Sequence, residues 1–137
     1  MDRPILLDTC AAIWLLEGDS LAANAEQALR TASDTGAPTY VSLITAWEIG
    51  LLVSKGRVAI ARDPRAWFDR LLFLGLEAAE LSSTILVNSS FLPASTLRDP
   101  ADRIIAATAR ERNLRVMTRD KPLLDYAAAG HLQAIAC

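Results

Sequence analysis

Four carboxylates stand where carboxylates are costly unless something binds them. Asp8 closes the apolar run Ile5-Leu6-Leu7, and Glu48 lies inside the apolar stretch 43–53. Asp102 opens the stretch Ile104-Ile105-Ala106-Ala107, and Asp120 follows Val116-Met117-Thr118. Acids gathered by a fold repel one another, and burial opposes their ionised form. A divalent cation removes both problems. An all-oxygen donor set without His or Cys suits Mg²⁺ or Mn²⁺. Mg²⁺ sites typically combine one or two carboxylates with substrate phosphates, which points to phosphodiester chemistry.

The elements that must position these acids follow from the pattern of the chain. Pro4-Ile5-Leu6-Leu7 reads as a short buried strand, with a helix over 10–17 broken at Gly18. Ser20 is placed to cap a second helix running to about Ala32. Thr39-Tyr40-Val41 reads as the second strand, and Ser42 caps the helix that carries Glu48, closed by Gly56. Asp63-Pro64 begins another helix, with Trp67, Phe68, Leu71 and Leu72 at helical spacing. The segment 76–81 reads as a third strand, and Ser82 or Ser83 caps a helix to about Ser90. Asp99-Pro100 starts a helix over 100–112, followed by a strand at 114–118, a short helix at 121–129 and a last strand at 132–136. Strands alternating with helices call for an α/β fold, a Rossmann-like parallel sheet flanked by helices. No repeat, low-complexity tract or linker interrupts residues 1–137, so one domain is expected.

In such a sheet ligands bind outside the carboxyl ends of the strands. Asp8 and Asp120 lie just past two such ends, Glu48 is in the second turn of a following helix, and Asp102 is in the first turn of the helix before the 114–118 strand. Plainer roles exist for each. Asp8 and Asp120 could cap the helices after them, and Asp99 with Asp102 could form a capping box. Glu48 could lie at an exposed helix edge or pair with Lys55. Its apolar neighbours Ile44, Trp47, Ile49, Leu51 and Leu52 argue against an unpaired, ionised role.

Composition narrows the classes. Fifty-two per cent of the 137 residues are apolar, enough for a sizeable core. A formal charge of −2 does not suggest a general polyanion binder, and any nucleic-acid contact would need a local basic patch. Seven of the fourteen Lys and Arg residues fall between Arg98 and Lys121, the segment carrying Asp102 and Asp120. Cys10 and Cys137 give neither a disulfide framework nor a metal knuckle, and read as reduced thiols. The lone histidine, His131, gives no support to a zinc site or a His-activated nucleophile. Met1-Asp2-Arg3-Pro4 lacks a leader pattern and no apolar run is long enough to span a bilayer, so a cytoplasmic protein without membrane contact is expected.

Four motifs occur in order with suitable spacing: Leu6-Leu7-Asp8-Thr9 before an apolar helix, Ser42-x5-Glu48-Ile49, Asp99-Pro100-x-Asp102-Arg103-Ile104-Ile105, and Val116-Met117-Thr118-Arg119-Asp120. Together they resemble a PIN-domain ribonuclease, and more closely the VapC toxins of toxin–antitoxin pairs. The resemblance implies an endoribonuclease dependent on Mg²⁺ or Mn²⁺, with an acidic quartet at Asp8, Glu48, Asp102 and Asp120. Asp99 is an additional acid beside it, and Thr118 and Ser42 match hydroxyls that help hold the site. Close relatives often carry His just before the Arg-Asp-Pro stretch, where this chain has Thr96-Leu97-Arg98. The resemblance further implies a homodimer and a cognate antitoxin, in a toxin–antitoxin hetero-oligomer, with RNA as substrate. Arg98, Arg119 and Lys121 are the candidates for phosphate contact, and Trp14 and Trp67-Phe68 are aromatics that could serve an interface or the core.

Three other readings compete. A phosphoacceptor receiver module wants paired acids after the first strand, where this chain has Asp8-Thr9, and an aspartate after a central strand, where it has Glu80-Leu81-Ser82. A phosphohydrolase with an Asp nucleophile wants a second acid where Cys10 stands. An inactive PIN-like binding domain would not need the complete quartet.

Overall fold

The computed structural model describes residues 2–137. Five parallel strands form one sheet in the order β3-β2-β1-β4-β5: β1 (Ile5–Leu7), β2 (Thr39–Ser42), β3 (Glu77–Ala79), β4 (Arg115–Thr118) and β5 (Gln133–Ala136). Strand β1 sits at the centre, with Leu7 opposite Val41 on one side and Met117 on the other. Ile5, Leu6 and Leu7 are wholly buried, as a central parallel strand covered on both faces must be. The side-chain period of two divides them. Ile5 and Leu7 pack with Ala11, Ala12, Ile49, Trp67 and Leu71 on one face. Leu6 packs with Ile105, Ala106, Ala109 and Leu123 on the other.

Helices α1 (Thr9–Glu17), α2 (Ala23–Thr35), α3 (Leu43–Ser54) and α4 (Pro64–Phe73) connect the first three strands. The chain then passes through α5 (Ser83–Asn88) and α6 (Pro100–Arg112) to β4, and α7 (Lys121–Ala128) leads to β5. That step returns the chain from the β3 edge to the far side of β1, so the order reverses between β1 and β4. The crevice outside the carboxyl ends of those two strands is the topological switch point, the usual ligand position in an open α/β sheet.

Local chemistry explains most boundaries. Asp8, Ser42, Asp63, Ser82, Asp99 and Asp120 each accept a backbone N–H at the start of their helix. Gly18 ends α1 with φ +81°, a conformation that carries little cost only for glycine. Two expectations are corrected. The second helix begins after Ala22 without a side-chain cap, because Ser20 falls in the extended approach to it. Strand β3 covers only Glu77–Ala79, since pairing with β2 stops where β2 gives way to α3. Trp67 and Phe68 are buried in the core and supply no interface surface. Among the described residues no helix is long and apolar enough to cross a membrane.

Candidate active site

The acids converge at the switch point. Asp8 follows β1, and its carboxylate is divided between two tasks. Oδ1 accepts the Ala11 N–H at 2.7 Å, capping α1. Oδ2 accepts the hydroxyl of Thr118, the last residue of the neighbouring strand β4. The Thr118 oxygen in turn accepts the Asp120 backbone N–H at 3.0 Å. Thr118 is fully buried and Asp8 is 4% exposed, so one hydroxyl pins two acids from adjacent strands in a water-poor crevice. Burial raises the Asp8 pKa against these hydrogen bonds, and the Asp120 charge adds to the rise. Asp120 caps α7 through a longer contact to the Leu123 N–H, 3.4 Å.

Glu48 and Asp102 enter from helices. Glu48, half-buried on α3, has its pKa raised by burial and then by the charges of Asp99, Asp8 and Asp120, while the Thr9 hydroxyl pulls it down. Asp102, in the first turn of α6, is pushed up to about 7 by burial, then by Asp99, Asp120, Glu48 and Asp8. Asp8, Glu48 and Asp102 thus each feel neighbouring acids, and the Arg119 charge offsets this in part at Asp8. The ion pairs among the described residues are Arg115 with Asp2 and Lys121 with Asp125. The Glu48–Lys55 pair allowed by the sequence is not among them. Nor do three carboxyls, among the described residues, close into a coordinating group. The carboxyls lie within reach of one another's fields. Hard oxygen donors that no salt bridge among the described residues neutralises suit Mg²⁺ or Mn²⁺ by their chemistry.

Asp99 carries more weight than its sequence position suggests. It caps α6 through Ala101 at 2.8 Å and Asp102 at 3.3 Å. Its charge is also the largest acidic influence on both Glu48 and Asp102. Ser42 spends its hydroxyl on the Ile44 N–H at 3.0 Å, so its hold on Glu48 acts through the start of α3. Asp8, Asp99 and Asp120 thus do cap helices while also facing the crevice.

The candidate phosphate contacts differ in freedom. Arg98 is exposed beside Asp99. Lys121 is exposed but pairs with Asp125 at 2.8 Å. The Arg119 guanidinium lies 3.7 Å from the centre of the Trp14 ring and donates to the carbonyls of Cys137 (2.7 Å) and Ser20 (3.3 Å). Trp14 is accordingly a platform for a cation, a role its sequence position did not suggest. Cys10 was also missed as a neighbour of the site. The residue reaches the surface, yet desolvation of its sulfur and then the charges of Asp8, Glu48, Asp102 and Asp120 push its thiol up to about 11, so it stays protonated at neutral pH. Its place two residues after Asp8 was the available signal.

Comparison with known proteins agrees with this fold. The PIN-domain family model matches residues 5–129. Ribonuclease VapC22 of Mycobacterium tuberculosis is 30% identical over 123 residues, covering 89% of this chain and 91% of that protein. Among solved structures, VapBC2 from Rickettsia felis bound to a promoter DNA fragment superposes with a TM-score of 0.70 at 15% identity, covering 97% of this chain and 98% of that one. A toxin–antitoxin complex from Klebsiella pneumoniae gives 0.61 at 25% identity, with 96% and 95% covered. A five-stranded parallel sheet, a crevice of acids at its switch point and a match over nearly the whole chain lead to one conclusion: the chain belongs to the PIN-domain family.

Proposed function

We propose that this protein is a metal-dependent endoribonuclease, the toxin of a toxin–antitoxin pair. The observation that carries the reading is the cluster of acids at the β1/β4 switch point of a PIN fold, which no salt bridge among the described residues neutralises. The likeness to Ribonuclease VapC22 and to toxin–antitoxin complexes supports the biological role. Asp8, Glu48, Asp102 and Asp120 would hold Mg²⁺ or Mn²⁺, with Asp99 behind them. When bound there, the ion would supply water activation and charge neutralisation for phosphodiester hydrolysis.

The chain's own residues prepare this chemistry. Thr118 and the start of α1 orient the two Asp8 oxygens, so little rearrangement is needed at that carboxylate. With its pKa near 7, Asp102 is partly protonated at neutral pH and must give up that proton to act as a ligand. Ion binding should therefore strengthen as pH rises through neutrality. Arg98, Lys121 and Arg119 are set to meet the RNA backbone beside the acids, which the overall acidity of the chain would otherwise repel. A cognate antitoxin would silence the enzyme in the cytoplasm by covering this crevice, and the active toxin would be a homodimer.

The test is cleavage of labelled RNA by purified protein with Mg²⁺, with Mn²⁺ and with EDTA, alongside Glu48→Gln. Cleavage that needs a divalent ion and collapses in the variant is expected. Equal cleavage by wild type and Glu48→Gln, or cleavage untouched by EDTA, would refute the assignment.

A further inference from the structure

The amino ends of the strands form the sheet edge opposite the acids. Between the end of α6, the turn after α7 and the start of β5 lies a cavity of about 320 Å³, lined by Arg3, Arg110, His131 and Gln133 together with the buried Leu114 and Leu132. Small-molecule sites run from about 300 to 1,000 Å³, so this one suits a small ligand. No carboxylate lines it. Contacts between distant segments fix its walls. The Arg110 guanidinium donates to the His131 carbonyl. The His131 N–H donates to the Tyr126 carbonyl at 3.3 Å, and its ring stacks on Tyr126 with centroids 5.0 Å apart. Gly130 makes this turn at φ +90°, where a side chain would be strained. The Arg3 carbonyl accepts the Arg115 Nε–H at 2.7 Å, which pins the approach to β1 against β4.

Charge at this edge does not cancel. Helices α6 and α7 both end here, and each end carries roughly half a negative charge. Compensating those ends is the plain role of arginines at such an edge, and it consumes about one of the two charges on Arg3 and Arg110. About one positive unit is left over. Neither arginine is in a salt bridge among the described residues. Asp2 pairs instead with Arg115 at 3.9 Å, and Glu111 lines the neighbouring hollow. A guanidinium has five N–H donors, and the His131 carbonyl takes one from Arg110. We propose that this cavity binds a small phosphate monoester of mononucleotide size. The doubly charged phosphate end takes the remaining donors of Arg3 and Arg110, His131 and Gln133 can each donate to it, and the leucines give the attached group an apolar contact. An enclosed hollow suits the end of a molecule rather than a passing diester strand, which brings one charge per phosphate. The site stands at the opposite sheet edge from the acids and does not depend on the proposed nuclease chemistry.

Calorimetry on the full-length protein in EDTA tests this, so that no metal at the acids can capture phosphate. The probes are adenosine 5′-monophosphate, adenosine, inorganic phosphate and a deoxyadenosine dinucleotide joined by one phosphodiester. The monophosphate should bind most tightly and adenosine should not bind. Arg110→Gln and Arg3→Gln should each weaken binding by about tenfold or more, the usual loss when a charge-assisted hydrogen bond is removed. Both side chains are exposed, so two independent variants keep the fold intact. Arg65→Gln makes the same charge change at an exposed position on α4 and should bind as wild type does. A wild type that does not bind the monophosphate overturns the proposal. Adenosine or the diester binding as tightly as the monophosphate overturns the role of the phosphate end. Inorganic phosphate binding as tightly would mean an adventitious ion only. Arg65→Gln as impaired as Arg110→Gln would mean that net charge, not this cavity, is responsible.

Discussion

Replacing Asp102 by Asn should stabilise the metal-free protein while disabling it. Asp102 rises from 3.8 to about 7 on folding, because burial and four neighbouring acids resist its charge. A group that holds its proton more tightly when folded contributes stability that is present below its unfolded pKa and lost as pH rises through the folded one. The loss therefore runs from about pH 4 to about pH 7. At about 1.4 kcal/mol per pH unit the ceiling is ~4 kcal/mol. The side chain is only partly buried, and solvent screening reduces this to about 1–2 kcal/mol. Asn also forfeits the attraction between a carboxylate and the start of α6, roughly 0.5 kcal/mol. The net gain above neutral pH is about 1 kcal/mol, or roughly 3–4 °C in melting temperature for a chain of this length. Melts in EDTA at pH 5 and pH 8 should show the two proteins nearly equal at the lower pH and Asp102→Asn ahead at the higher. Excess Mn²⁺ should reverse the order, since a ligand at about a hundred times its Kd adds ~2.7 kcal/mol to the native state that binds it. Parallel pH profiles in EDTA, or a wild type that stays ahead at pH 8 without metal, would refute the picture of mutual repulsion at this crevice.

Thr118→Val should cost about 1–3 kcal/mol, because the buried Asp8 oxygen and the Asp120 N–H both lose their partner; Thr118→Ser should melt near wild type. Asp99→Ala removes the α6 cap, a loss of about 1 kcal/mol, and in calorimetric melts without metal that loss should be larger at pH 4 than at pH 8, where relief of the charge on Glu48 and Asp102 offsets it. Expressed alone in a bacterium, the wild-type protein should arrest growth and Asp8→Asn should not, at equal soluble yield; equal arrest by both would separate the toxicity from the acids.

Sequence made the acids legible for a specific reason. Asp8, Asp102 and Asp120 sit at junctions between apolar runs and helix starts, and strand–helix alternation brings such junctions to one edge. The competing cap reading was equally sound for Asp8, Asp99 and Asp120, and the structure shows why no choice was needed. A carboxylate has two oxygens, and one can cap while the other faces the crevice. Less was legible where a contact joins distant segments. Nothing local links Arg119 to Trp14, and Cys10 read as an ordinary thiol because its setting is made by α3 and α6. Trp67 and Phe68 carried the right spacing for either core or interface, and only the packing of α4 against the sheet decided between them. The unsupported start of α2 was missed because Ser20 is an ideal cap residue two positions too early.

Four helices, α1, α3, α6 and α7, begin at the edge where the acids gather. Each start carries roughly half a positive charge from its aligned peptide dipoles. The fold therefore supplies about two units of fixed positive potential to a crevice that has no lysine or arginine salt-bridged to its acids. That backbone field does not titrate with pH, because it belongs to the peptide groups rather than to an ionisable side chain. It favours the folded state of these crowded acids, and under the proposed function it would soften the repulsion a nucleic-acid phosphate meets on approach. A redesigned site that moved the acids off these helix starts, even at the same mutual distances, would have to find that compensation elsewhere.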